Sequence, residues 1–126
     1  MILKKKLNEV LKNNGIKPNK KLGQNFIFDF NVLDKIVKSV LPINKSTVIE
    51  IGPGPGGLSR AILKYKPKEL ILIEIDKKFR PVLEEVSNDF LEDNIKVIYK
   101  DFLKIDYEKL SSNKIKLFSN LPYYIS

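Results

Sequence analysis

The sequence predicts an α/β fold in which strands and helices alternate to build a parallel β-sheet. Short β-branched and apolar runs, such as Thr47–Ile51 and Leu70–Ile75, alternate with segments whose apolar residues recur at helical spacing. A glycine-rich stretch, residues 52–57, joins the first of these runs to a helical segment. This alternation favours parallel strands, right-handed crossovers and helices on the faces of the sheet.

The N-terminal part of the chain reads as two helices joined by a basic loop. Residues 2–14 carry apolar side chains on one helical face, and Gly15 is a stop signal. Residues 32–40 form a second amphipathic pattern that ends before Pro42, with Asp29 or Asn31 as its N-cap. We therefore separate an N-terminal region, residues 1–45, from a sheet-containing core, residues 46–126.

The core contains four predicted strands and two predicted helices. The strands are Thr47–Ile51, Leu70–Ile75, Ile95–Tyr99 and Ile115–Ser119. One helix follows the glycines, from Leu58 to Tyr65, and the other runs from Phe79 to Phe90, with Pro81 tolerated only in its first turn. Because four strands leave one side of such a sheet with little cover, we expect the chain to be part of a longer protein.

Composition excludes several classes of protein. The 126 residues suffice for one compact domain, and the 43% of hydrophobic residues are spread along the whole chain, which argues against disorder. The chain has no cysteine and no histidine, so we expect no disulfide and no metal site. No apolar run is long enough to cross a bilayer, and no signal peptide is visible. We expect a cytoplasmic protein that makes no contact with membranes.

The net charge of +8 predicts a polyanionic partner. A lysine-rich genome is the alternative explanation, since Arg60 and Arg80 are the only arginines. The distribution of charge helps to decide, because the basic excess is concentrated near the N-terminus, at Lys4, Lys5, Lys6, Lys12, Lys17, Lys20 and Lys21.

The glycine-rich stretch and the end of the second strand predict a crevice for a nucleoside cofactor. Glycines after a strand allow a tight turn and a close approach of the backbone to a ligand. Glu74, 22 positions after Gly52, can accept hydrogen bonds from a ribose diol. Gly52, Gly54 and Gly57 also satisfy G-x-G-x-x-G, so an NAD-dependent oxidoreductase is an alternative. A plain turn and a solvated carboxylate are the structural alternatives.

Two further segments point to adenine chemistry. Asp101, just past the third strand, can accept a hydrogen bond from an adenine amino group, although an Asp in this place is often a turn or cap residue. In Asn120-Leu121-Pro122-Tyr123, the Asn120 side-chain oxygen and the Leu121 carbonyl could bind both N6 hydrogens of a target adenine. Pro122 would stiffen this turn, and Tyr123 could stack on the base, a contact worth roughly 1–3 kcal/mol. The alternative is a simple turn with a packed tyrosine.

The loop Lys21-Leu22-Gly23-Gln24-Asn25-Phe26 completes the pattern. The Asn25 amide suits the methionine carboxylate of S-adenosyl-L-methionine, and Lys20 and Lys21 could contact phosphate. Together these segments resemble the ribosomal RNA adenine dimethyltransferase family, whose pattern joins L-G-Q-N-F-L, E-I-G-P-G-x-G-x-L-T, an acidic end of strand two and N-L-P-Y-N-I-S. The resemblance spans residues 2–126 in order and with the right spacing.

The resemblance implies a Rossmann-like, class I S-adenosylmethionine-dependent methyltransferase fold and a monomeric enzyme. Such an enzyme dimethylates N6 of two adjacent adenosines near the 3′ end of small-subunit rRNA, on an immature 30S-type subunit. It implies a cofactor site formed by Asn25, Ile27, Gly52, Gly54, Glu74, Asp101 and Asn120. The catalytic turn would be Asn120, Leu121, Pro122 and Tyr123, and the RNA contacts Lys17, Lys20 and Lys21.

The chain departs from the family pattern at Ile27, Ser59 and Tyr124, where Leu, Thr and Asn are commoner. The first two changes are conservative, whereas Tyr124 adds an aromatic ring beside the target-base site. A large-subunit rRNA adenine methylase is an alternative, but such enzymes usually lack the features seen here at Leu22-Gly23 and Pro53. A non-catalytic RNA-binding assembly factor on the same fold is the remaining alternative, and the intact residues 120–123 argue against it.

Overall fold

A four-stranded parallel sheet organises the molecule. The computed structural model describes residues 29–119, so the predicted helix at residues 2–14 lies outside the described part of the chain. The strands are β1 (Thr47–Ile51), β2 (Glu69–Ile73), β3 (Ile95–Ile98) and β4 (Ile115–Ser119). Their order is β3-β2-β1-β4 and every pairing is parallel, which confirms the predicted sheet.

Within residues 29–119, three α-helices accompany the strands. The first, α1 (Phe30–Lys38), begins at Asp29, whose carboxylate accepts hydrogen bonds from the N–H groups of Asn31 and Val32 at 3.1 and 3.2 Å. The second, α2 (Gly57–Lys64), starts directly after the glycine-rich stretch. The third, α3 (Arg80–Asp89), follows a 3₁₀ turn and carries its proline in the first turn, as the sequence requires. Of the two candidate N-caps, the structure selects Asp29.

Crossover handedness decides which face of the sheet each connection covers. The steps from β1 to β2 and from β2 to β3 move in one direction across the sheet, so right-handed crossovers put α2 and α3 on the same face. There they pack with α1 over side chains such as Val48 and Leu72. The connection from β3 to β4 returns in the opposite direction and covers the other face, packing Phe102, Tyr107 and Leu110 against Ile49 and Ile71. Within the described residues this connection holds 3₁₀ turns, whereas helices were predicted on both faces of the sheet.

Two strands end earlier than predicted. The second was expected to reach Ile75 but ends at Ile73, and the third was expected to reach Tyr99 but ends at Ile98. The Glu74 N–H still donates to the Ile98 carbonyl at 2.9 Å, yet the Glu74 side chain also accepts from the Asp76 N–H and bends the chain into a turn. Glu74 therefore follows β2 and faces the end of β1.

The helix α1 belongs to the same packed layer as the sheet-bound helices. Its Leu33 and Val37 are buried together with Val48 of β1. From β4, the Lys116 amine donates hydrogen bonds to the carbonyls of Val40 and Pro42, just after α1. The division at residue 45 stays a prediction, but these contacts fix α1 to the sheet. Within residues 29–119 the longest helix has 10 residues, and none is long and apolar enough to span a bilayer.

Candidate functional site

The candidate site lies where β1 ends and the chain turns into α2. Three glycines in this turn have positive φ: 70° at Gly52, 52° at Gly54 and 90° at Gly56. L-residues with a side chain rarely adopt such angles, whereas glycine does so without steric cost. The Gly52 N–H donates to the Ile73 carbonyl at 2.8 Å, so the glycine loop, residues 52–56, is anchored to the end of β2.

The loop runs close to the helices below it. A Cβ atom placed on Gly56 would lie 2.8 Å from the Val86 Cγ2 of α3, a distance that real Cβ contacts essentially never show. A Cβ on Gly54 would meet Phe79 at 3.9 Å, which is ordinary van der Waals contact. Close packing therefore requires glycine at position 56, while position 54 requires it for its backbone angle.

Glu74 holds the loop from the side of β2. One carboxylate oxygen accepts the Gly54 N–H at 2.8 Å and the other accepts the Asp76 N–H at 3.0 Å. The side chain is nearly buried, and burial raises the pKa of Glu74 above its usual value, while the two backbone N–H groups oppose that shift. The structure thus brings together Gly52, Gly54 and Glu74, three of the predicted cofactor residues.

A second carboxyl group, that of Glu50, belongs to the residue of β1 that lies two positions before the glycine loop. It is 0% exposed, and Ser59 of α2 donates a hydrogen bond to its Oε1 at 2.5 Å. Its Oε2 is buried with no hydrogen-bond partner among the described residues. Burial raises the pKa of Glu50 to about 8; the Ser59 hydrogen bond opposes this shift and the charge of Glu74 adds to it. Glu50 was predicted only as part of a motif, although an acidic residue inside an apolar strand was the available signal.

Asp101 and Ile75 flank this region. The Asp101 carboxylate accepts the Leu103 N–H at 3.0 Å and caps a 3₁₀ turn, so the structural alternative for this residue is present in the molecule. Its role in a cofactor site stays a prediction. Ile75 is 66% exposed directly after Glu74, which places an exposed apolar side chain next to the carboxyl end of β2. Ile75 was predicted as part of the strand and not as a site residue.

The strand β4 lies beside β1 at the carboxyl edge of the sheet. Ser119 pairs with Ile51, so the last residue of β4 is level with the residue that precedes the glycine loop. The strands β1 and β4 are therefore neighbours, and their carboxyl ends lie side by side. The predicted residues outside the described part of the chain are Lys17, Lys20, Lys21, Asn25, Ile27, Asn120, Leu121, Pro122 and Tyr123.

The described side chains contain no group of three or more acidic residues arranged to hold a metal ion. The polar side chains at the site are instead two carboxyl groups, Glu50 and Glu74, whereas the three glycine N–H groups of the loop already donate to Ile73, Glu74 and Pro53. Such a set suits hydroxyl groups and positive charge on an organic molecule.

Comparison with known proteins identifies relatives of this chain. Residues 15–126 match the family model described as ribosomal RNA adenine dimethylase. Over 119 residues the chain is 40% identical to the ribosomal RNA small subunit methyltransferase A of Sinorhizobium medicae. The alignment covers 94% of this chain and 43% of that relative, so the chain spans less than half the length of the curated relatives it matches.

Solved structures agree with this relationship. A putative RNA methyltransferase from Pyrococcus horikoshii aligns with a TM-score of 0.64 and 25% identity, covering 94% of this chain and 59% of the other. A dimethyladenosine transferase from Plasmodium falciparum aligns with a TM-score of 0.58 and 29% identity, covering 76% of this chain and 33% of the other. The four-stranded parallel sheet with its helices is therefore a partial class I methyltransferase fold of the Rossmann-like type.

Proposed function

Because the chain belongs to the ribosomal RNA adenine dimethylase family, we propose that it carries the cofactor site and the catalytic turn of an rRNA adenine-N6 methyltransferase. The methyl donor is S-adenosyl-L-methionine, which supplies a methyl group on a positively charged sulfur. One observation carries the proposal: the Glu74 carboxylate accepts a hydrogen bond from the glycine loop at the edge of the sheet where β1 and β4 end side by side. In α/β sheets this edge is where ligands bind.

The described residues fit an adenosine-containing cofactor. The glycine loop offers a close backbone approach, and each Glu74 oxygen has a second lone pair with which to accept a ribose hydroxyl. The exposed Ile75 side chain would provide an apolar surface for the adenine ring. Gly52, Asp101, Asn25 and Ile27 would complete the binding site, with Asn25 on the methionine carboxylate.

Methyl transfer to adenine N6 requires a lone pair that is normally conjugated with the ring. We propose that the Asn120 side-chain oxygen and the Leu121 carbonyl each accept a hydrogen bond from the N6 amino group. These two hydrogen bonds favour a tetrahedral nitrogen with its lone pair available. Pro122 stiffens this segment, and Tyr123 stacks on the target base. The methylated amine is acidic enough to lose its proton to water, so a chain without histidine needs no strong base.

The proposed substrate is small-subunit rRNA in an immature 30S-type subunit, with two adjacent adenosines near the 3′ end as targets. The name of the Sinorhizobium medicae relative, a small subunit methyltransferase, supports small-subunit rRNA as the substrate. Lys17, Lys20 and Lys21 would contact RNA phosphates, whose charge dominates nucleic-acid affinity. We further propose a monomeric protein that works in the cytoplasm.

Calorimetry tests the cofactor. The chain is titrated with S-adenosyl-L-methionine and, separately, with NAD, whose enzymes share the G-x-G-x-x-G pattern. We expect binding of the sulfonium cofactor and none of NAD. Tight NAD binding without binding of S-adenosyl-L-methionine would refute the proposal.

Asn120→Ala tests the catalytic turn. In the full-length protein we expect turnover on immature small subunits to fall at least 100-fold, because one of the two N6 acceptors is lost. Cofactor affinity should be largely spared, and calorimetry measures it on the same preparation. Asn88→Ala, which removes an exposed amide from α3, is the matched control and should retain full activity. Equal activity of both variants would remove Asn120 from the mechanism.

A further inference from the structure

The carboxyl group of Glu50 is fully buried, but only one of its two oxygens has a hydrogen-bond partner among the described residues. It points from β1 toward α2, where Ser59 donates to one of its oxygens, and the other has no partner within residues 29–119. Both residues are 0% exposed. A buried acceptor without a partner is costly, and such a group in a native protein calls for an explanation.

No lysine or arginine in the described part of the chain forms an ion pair or hydrogen bond with Glu50. Glu74, at the end of β2, is a second acidic group whose charge disfavours ionisation of Glu50. On α2, the buried Arg60 guanidinium pairs through Nη1 with Asp89 of α3 at 2.9 Å, while its Nε and Nη2 have no hydrogen-bond partner within the described residues. On β4, the Lys116 amine is held by the carbonyls of Val40 and Pro42. The site therefore combines two carboxyl groups with no counter-charge of its own among the described residues.

We propose that Glu50, positioned by Ser59, is a proton-linked member of the cofactor site that is neutral when the crevice is empty and ionised when a cationic cofactor occupies it. The inference rests on the proposed function, since S-adenosyl-L-methionine carries a sulfonium and an ammonium group. A cation near a carboxyl group favours its charged form. Binding of the cofactor thereby releases the Glu50 proton, and affinity rises with pH.

Ser59 sets the strength of this linkage. Its hydroxyl donates to Glu50 and so favours the ionised form. Ser59→Ala removes that donor and moves the proton release to higher pH. Ser59→Thr keeps the hydroxyl and should restore the behaviour of the original chain. Rescue by threonine separates a positioning role of the hydroxyl from a general effect of altered packing.

Calorimetry with S-adenosyl-L-methionine measures the released proton directly. Titrations at each pH between 6.5 and 8.5 are run in two buffers that differ in ionisation enthalpy, so that the difference in heat counts protons. For the unmodified chain we expect a release that shrinks as the pH passes 8, and an affinity that rises by up to about tenfold per pH unit below it. Glu50→Gln should bind with less proton release and a flatter pH dependence. Glu84→Gln, the same change on an exposed part of α3, should behave like the unmodified chain.

The outcomes separate this inference from the proposed function. If S-adenosyl-L-methionine binds and Glu50→Gln releases as many protons as the unmodified chain, the inference is wrong and the cofactor assignment stands. If the cofactor does not bind at all, the proposed function itself fails. Should Glu50→Gln not fold, carbon NMR of the Glu50 carboxyl in the unmodified chain replaces it. An unchanged protonation state on addition of cofactor at pH 7 then overturns the inference.

Discussion

A position in the glycine loop can require glycine for its backbone angle, for lack of space around its Cα, or for both reasons. Gly54 and Gly56 both have positive φ, but only Gly56 faces a neighbour, Val86, that leaves no room for a methyl group. Two causes also act on the pKa of Glu50. Burial raises it, and the hydrogen bond from the Ser59 hydroxyl opposes the shift.

Gly56→Ala should destabilise the fold more than Gly54→Ala. At position 56 the new Cβ meets both an unfavourable angle and the Val86 side chain, and we expect a loss of roughly 2–4 kcal/mol. At position 54 only the angle is unfavourable, so the expected loss is roughly 1–2 kcal/mol. Urea unfolding of both variants at one pH measures the two losses. Equal losses would show that Val86 moves aside freely.

Glu50→Gln should remove part of the pH dependence of stability. The folded state holds the Glu50 proton up to a pH of about 8, whereas the unfolded chain releases it near its ordinary value of 4.5. The free energy of unfolding therefore falls as the pH rises from 4.5 to 8, by an amount on the order of a few kcal/mol. Unfolding at several pH values without cofactor should give a flatter profile for Glu50→Gln than for Glu84→Gln. Parallel profiles would contradict the raised pKa.

Polar contacts between secondary-structure elements add to their apolar packing. The α1–α2 contact includes Asp34, which accepts hydrogen bonds from the Tyr65 hydroxyl at 2.5 Å and from the amine of Lys64 at 3.3 Å. Lys38, one turn further along α1, forms an ion pair with the same carboxylate at 3.1 Å. These donors lower the pKa of Asp34 to about 2, with Tyr65 as the largest cause.

Tyr65→Phe should raise the pKa of Asp34 toward its ordinary value of 3.8, because the strongest donor is removed while both lysines remain. A lowered pKa stabilises the fold above pH 3.8, and that contribution is lost as the pH falls toward 2. NMR titration of the Asp34 carboxyl measures the change. Tyr107→Phe is the control, since the Tyr107 hydroxyl donates to the Phe102 carbonyl. An unchanged Asp34 pKa in Tyr65→Phe would assign the shift to the lysines.

Local patterns predicted most of the elements, and tertiary contacts decided what the patterns missed. The β-branched run at Thr47–Ile51 and the capping carboxylate of Asp29 carry their structure in the local sequence, so both predictions were confirmed. The early end of β2 depends on hydrogen bonds from Gly54 and Asp76 to one side chain, which no periodicity reveals. For the same reason the Glu50–Ser59 pair was missed, because its partners lie nine positions apart on different elements.

Charge is divided unevenly over the molecule as a whole. Residues 1–28 contain seven lysines and one acidic residue, so they supply six of the eight net positive charges. Residues 29–119, which form the sheet and its helices, are therefore close to neutral. Attraction to the proposed RNA partner should therefore depend mainly on residues 1–28. Net charge should contribute little to the stability of the sheet.

Replacing Lys17, Lys20 and Lys21 by Gln should weaken RNA binding and its dependence on salt. If each lysine neutralises one phosphate, the slope of log affinity against log salt should shrink by roughly 2–3. Binding of a small-subunit rRNA fragment to the full-length protein at several salt concentrations measures the slope. A control triple variant at Lys45, Lys96 and Lys104, all exposed within residues 29–119, should leave the slope nearly unchanged. The reverse order of effects would move the RNA-binding surface to residues 29–119.

The pairing of β1 with both of its neighbours limits where the chain can change in length. Five consecutive residues of β1 are matched to β2 on one side and to β4 on the other. A one-residue deletion within β1 would exchange its two faces and put the Glu50 carboxyl on the side of Ile49 and Ile51. Insertions and deletions among relatives should therefore collect in the connection between β3 and β4. The stretch from Thr47 to Gly57 should keep a constant length even where its sequence has diverged.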